Sequence, residues 1–132
     1  MGQCGEEGLQ DILEIYFATP SDFYIGLCSD LSIAKDAAYT DLTEVTGSGY
    51  DLIALSTITI ATLGVDNRKA TGDEVTFNAS GTWTSAYYWF MITPAVASGA
   101  YTLVCWDSVK DSPVELESGE SLAIIPIFNA TG

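Results

Sequence analysis

Residues 74–79 read Glu-Val-Thr-Phe-Asn-Ala, an alternation that puts Val75, Phe77 and Ala79 on one side of an extended chain and Glu74, Thr76 and Asn78 on the other. A period of two cannot give a helix an apolar face, so this segment predicts a strand with one face buried and one wet. Short apolar runs bounded by turn-forming residues recur at 23–28, 100–106, 113–117 and 121–127. A longer stretch lines up Tyr50, Leu52, Ala54, Ile58 and Ile60 on one face, and Pro126 suits an edge or strand end. Residues 86–93, AYYWFMIT, are apolar on both faces, as in a strand covered by the core on one side and by something else on the other. Polar sequence at 29–49 reads as a long surface loop, and Asp66-Asn67 as a turn. The whole predicts a mainly β fold, an antiparallel β-sandwich of about seven strands.

One helix precedes the strands. Leu9, Ile12, Leu13 and Tyr16 have the spacing of a single helical face, and Glu6 and Glu7 stand where the helix dipole favours acids. Pro20 ends it near Thr19. The expected organisation is a flexible arm over 1–8 and a single sandwich domain over 9–132, a length that buries a core without covalent staples.

Charge narrows the partners. Eighteen acidic side chains oppose Lys35, Arg68, Lys69 and Lys110, a net charge of −14 without any histidine. Phosphate backbones and anionic membranes are bound by clustered Lys and Arg, so neither nucleic acid nor membrane is an expected partner. The acidity reads first as protection against self-association. No apolar run reaches the roughly 18 residues of a membrane span, and the start MGQCGEEGLQD carries no signal-peptide pattern, so a soluble cytoplasmic product is expected. Gly2 and Cys4 lack the Ser or Thr that myristoylation asks for, because position 6 is Glu6. Cys28 and Cys105 lie in apolar runs and read as buried thiols, with Cys4 exposed.

Chemistry is sparse. Without histidine the Ser-His and Cys-His nucleophile systems are excluded, and three scattered cysteines make no zinc set. Glu115 and Glu117, or Asp73-Glu74, are the carboxylates a glycosidase reading would nominate, yet alternation points Glu115 and Glu117 outward. The acids near Asp66-Asn67 and Asp73-Glu74 lack the spacing of a calcium loop. No catalytic residue, metal site or cofactor is expected, and the sequons at Asn78 and Asn129 matter only in a secreted chain. The informative group is aromatic: Trp83, Tyr87, Tyr88, Trp89, Phe90 and Trp106. Alternation separates Tyr88, Phe90 and Ile92 from Tyr87, Trp89 and Met91. One set fills the sandwich; the other lies under the helix or in an interface between subunits.

The order of segments DFYIGLCSD, DLTEVTGSGYDLIAL, DNRKATGDEVTFNASGTWTSAYYWFMIT, YTLVCWDSV and PVELESGESLAI resembles a family of small structural proteins of tailed bacteriophages, over about residues 9–125. The shared features are a short helix, a strand like FYIGL, a T-E-V-x-G-x-G-Y segment, a V-T-F strand before a Gly and Trp, and a late S-G-x-S-L-x-I strand. Asp51 follows Tyr50 where relatives usually carry Arg.

The resemblance implies a virion protein, described for such families as capsid decoration (cement) or tail-associated. The expectation is a decoration protein, made in the host cytoplasm, that sits on the capsid surface as a homotrimer and cross-ties neighbouring copies of the major capsid protein. Its candidate interface residues are Gln3 in an arm that orders on binding, the basic pair Arg68 and Lys69, and Tyr87 and Trp89 as apolar anchors. The alternatives are a tail or fibre module whose exposed tryptophans stack on host sugars, and, more distantly, a carboxylate-pair enzyme.

Overall fold

The computed structural model describes residues 6–64, 67–95 and 100–131. Within them lie one α-helix, α1 (Glu6–Tyr16), two single 3-10 turns at Pro20–Asp22 and Tyr39–Asp41, and nine strands: β1 (Tyr24–Cys28), β2 (Ile53–Ala54), β3 (Ile58–Gly64), β4 (Asn67–Gly72), β5 (Val75–Asn78), β6 (Tyr88–Pro94), β7 (Tyr101–Ser108), β8 (Ser121–Ile124) and β9 (Ile127–Thr131). Every pairing is antiparallel, in sheets of order β2-β1-β6-β7, β3-β4-β9 and β5-β8. The chain is therefore mainly β with a single short helix, as its alternation predicts.

The strand count differs for physical reasons. Pro126, whose side chain is fully buried, interrupts the 121–127 run and divides it into β8 and β9. Residues 113–117 form no strand, only a single bridge from Val114 to Ala86. β4, the polar NRKATG, is the middle strand of its sheet and is held by ladders on both sides. Asn67 thus opens a strand instead of belonging to a turn.

The second and third sheets are two halves of one bent ribbon. Between the pairs Thr71↔Ile127 and Val75↔Ile124, residues 72–74 stand opposite only 125 and 126, which is a bulge. The Gly72 N–H donates to the Pro126 carbonyl at 2.9 Å, carrying the ladder across it. At the same corner the Asp73 carboxylate accepts the N–H groups of Ser56 (2.8 Å) and Thr57 (3.0 Å). That clamp breaks the 50–60 alternation. Leu55 turns in and is buried, Ala54 is exposed, and Leu52 packs in a different cluster from Tyr50, Ile58 and Ile60.

The main core takes the inner face of every sheet. Ile25, Leu27, Trp89 and Met91 come from the first sheet, Ala70 from β4, and Val75, Phe77 and Ile124 from the β5-β8 pair. Val75, Phe77 and Ala79 are buried while Glu74, Thr76 and Asn78 are exposed, as their alternation demands. Helix α1 and the residue after it close this core with Leu9, Leu13 and Phe17. The helix starts at Glu6, so residues 6–8 are helical and not part of an arm; Met1 to Gly5 lie outside the described residues.

The opposite face of the first sheet carries a second cluster, Cys28, Phe90 and Ile92, under Ile33, Tyr39, Leu42 and Leu52. What covers the second face of β6 is thus the 29–52 segment, neither the helix nor another subunit. That segment is fastened by Ser29 N–H to the Thr43 carbonyl (2.9 Å), Val45 N–H to the Leu27 carbonyl (3.0 Å) and Thr43 N–H to the Asp30 carboxylate (2.8 Å).

Candidate functional site

A connected polar group centres on Glu44, in the TEVTGSGY segment. Its carboxylate accepts the hydroxyls of both Tyr39 and Tyr50, the latter at 2.7 Å. The Tyr50 oxygen also accepts the Leu27 N–H at 3.0 Å. Burial, and then the bond to Glu44, push both tyrosine hydroxyls well above the usual phenol range. The arrangement ties the covering segment to β1, and its chemistry is structural.

The rest of that segment has the same role. Gly47 has φ +152° and lies against Trp83, where a Cβ would collide with the indole. The Trp83 Nε1–H donates to the Ser48 carbonyl at 2.7 Å. Tyr50 stacks on Phe77 (6.1 Å, 10°) and meets Trp83 edge-on (5.5 Å, 89°). The ordered residues behind the resemblance, TEVTGSGY, VTF and the Gly81–Trp83 pair, therefore converge on one core joint. Asp51 is exposed and accepts the neighbouring Leu52 N–H.

Other acids are engaged separately. Glu115 and Glu117 are exposed on either side of buried Leu116, with Glu117 accepting the Thr82 hydroxyl at 2.6 Å. Asp73 spends its carboxylate on two backbone donors at the bulge. Among the described residues no group of three acidic or thiol side chains is placed to hold a metal. Burial pushes the Cys28 and Cys105 thiols up to about 12, with the Asp107 charge adding to the effect at Cys105. Cys28 is fully buried and Cys105 only partly; Cys4 lies outside the described residues.

The expected interface residues are scattered. Gln3 lies outside the described residues. Trp89 is 6% exposed and belongs to the core, and Arg68 is buried with its Nε–H donating to the Gln10 side chain at 3.0 Å. Both roles are corrected: neither side chain offers a surface to a partner, because β6 and β4 turn them inward against the chain's own packing. Lys69, the next residue on β4, points to the opposite sheet face from Arg68 and is half-buried. Tyr87 is half-buried just before β6, where its N–H donates to the Cys28 carbonyl at 2.9 Å.

The surface that stands out is on α1. Its core side is Leu9, Leu13 and Phe17, so Ile12 and Tyr16, expected on the buried face, are 52% and 43% exposed. Ile15 is 77% exposed. Ile12, Ile15 and Tyr16 form a second apolar ridge at i, i+3 and i+4, a spacing already visible in the sequence. Two clefts flank it. One of ≈ 320 Å³ runs from Ile12 and Tyr16 to Leu103, Val104 and Phe128. The other, ≈ 510 Å³, is lined by Ile15, Tyr16, Thr19, Phe23, Pro94 and Thr102 among others. β7 is the end strand of the first sheet, and no strand among the described residues pairs with its outer edge. Its register slips between the Met91↔Cys105 and Ile92↔Leu103 pairs, so Val104 is the bulged residue that lines a cleft.

Comparison with known protein families, with curated proteins and with solved structures finds no match to this chain.

Proposed function

We propose that this chain is a non-enzymatic structural protein that binds other protein surfaces, and specifically a capsid decoration protein of a tailed phage. The observation that carries this reading is the second apolar ridge of α1. A helix on a globular surface needs one apolar stripe, and this one carries Ile12, Ile15 and Tyr16 beyond it, beside an open strand edge on a chain of net charge −14. Covering one exposed isoleucine contributes roughly 1.5–3 kcal/mol, so a single contact is modest. Engagement of several lattice subunits multiplies modest contacts into stable attachment. Strong like charge disfavours a free oligomer at neutral pH, so the trimer belongs to the lattice, where capsid symmetry gathers the copies.

A tail or fibre module that stacks sugars on tryptophan needs exposed indoles. Trp83 and Trp89 are buried, and Trp106 is half-buried against the second cluster, so the decoration reading is the better supported. The test is the copy number of the chain relative to the major capsid protein in purified particles, by quantitative mass spectrometry. A ratio matching the capsid lattice is the expected result. A few to tens of copies per particle would move the protein to the tail, and absence would end the virion reading.

A further inference from the structure

We propose that the ridge of α1 and its flanking cleft seat an apolar knob of a partner protein rimmed by Lys and Arg, an inference that rests on the capsid-binding reading and names the face and chemistry of that contact. The ridge supplies Ile12, Ile15 and Tyr16, and the ≈ 510 Å³ cleft beside it supplies concave space floored by Phe23 and Pro94. Its rim is acidic. Asp11 lies one helical turn before Ile15 on the same face, Glu14 flanks it, Asp22 lines the cleft, and all three are exposed.

Among the described residues no basic side chain lines either cleft. Arg68 is buried against Gln10, Lys69 stands on the far sheet face, and Lys35 and Lys110 lie in connecting segments. A second copy of the chain would bring the same carboxylates against these ones, on two bodies each of charge −14. Like-charge juxtaposition around an apolar centre acts against pairing, whereas a basic rim is complementary to it. The occupant is therefore a different protein with an apolar centre and a basic margin.

The test uses the full chain and phage particles prepared without it, with binding isotherms at about 50 mM and about 400 mM NaCl. Three proteins are compared: wild type, Ile15→Asp, and the double variant Asp11→Lys/Asp22→Lys. All the altered side chains are exposed, and a thermal melt of each verifies folding. Ile15→Asp is expected to weaken binding about tenfold or more at both salt concentrations. The double variant is expected to bind about tenfold more weakly at low salt, with the gap to wild type closing at high salt.

Wild-type binding that neither variant changes would overturn this face while leaving the capsid reading intact. Failure of the wild type itself to bind would strike the capsid reading, and this inference with it. Loss in Ile15→Asp alone would overturn the basic rim. A wild-type dimer in sedimentation that Ile15→Asp dissolves would assign the face to a second copy instead.

Discussion

Tyr50 shows how much of this fold hangs on single atoms. Its ring is part of the joint with Phe77 and Trp83, while its hydroxyl donates to Glu44 and accepts the Leu27 N–H. Tyr50→Phe keeps the ring and deletes the hydroxyl, leaving a strand N–H and a carboxylate each short of a partner. A cost of about 1–3 kcal/mol is expected in urea unfolding at pH 7. The same residue predicts a pH dependence. Burial first, and the bond to Glu44 next, raise its folded pKa above the ordinary phenol value of about 10. Its stabilisation is therefore whole below pH ~10 and is lost as pH rises towards the folded pKa, because the unfolded chain releases the proton first. Unfolding free energy measured from pH 9 to 11 should fall for the wild type and fall less steeply for Tyr50→Phe. Equal slopes would mean that the hydroxyl is not held as described.

At the scale of elements, α1 separates core from surface by about half a turn of phase. Leu9, Leu13 and Phe17 are buried, and Ile15 projects into solvent. Leu13→Ala should cost about 2–5 kcal/mol of stability and Ile15→Ala no more than about 0.5 kcal/mol, both read by chemical denaturation. Similar losses at both sites would mean that the helix sits rotated. This phase was only half legible. The set Leu9, Ile12, Leu13, Tyr16 and the set Leu9, Leu13, Phe17 both fit a period of 3.6, and which one is buried depends on what the helix lands on. β5 was fully legible because one of its faces meets water and its alternation is uninterrupted. β4 was not: the middle of a sheet is held by backbone ladders, and NRKATG offers no apolar period to reveal it. The cover on β6 escaped for a related reason. Ile33, Tyr39, Leu42 and Leu52 are spaced irregularly through a polar segment, and the Glu44 brace together with the bonds to Asp30 and Leu27 holds them down onto Phe90. Alternation did reveal that Trp89 and Phe90 face opposite ways, but not that the chain itself covers both.

For the whole molecule, charge and exposed apolar surface oppose each other. Eighteen acidic groups against four basic ones leave −14 at neutral pH and a pI near 4.1. That repulsion both strains the compact state and opposes the approach of another copy to Ile12, Ile15, Tyr16 and the open edge of β7. Raising NaCl from about 10 mM to about 500 mM at pH 7 should raise the melting temperature by screening the strain. Lowering pH towards 4.1 removes the second protection, and the fold should still be present when it goes. Burial opposes ionisation of Asp73, but the N–H donors of Thr57 and Ser56 outweigh it and hold the carboxyl below its usual range. The clamp at the bulge is thus whole above pH ~3.9 and is lost only as pH falls through the lower folded value. Light scattering on titration should rise near pH 4.1 and return to baseline when the sample is brought back to pH 7, with far-ultraviolet circular dichroism unchanged at the onset. In Ile15→Asp the onset should weaken, since the most exposed apolar side chain is gone. An identical onset in that variant would place the association elsewhere, on an edge strand independent of the helix.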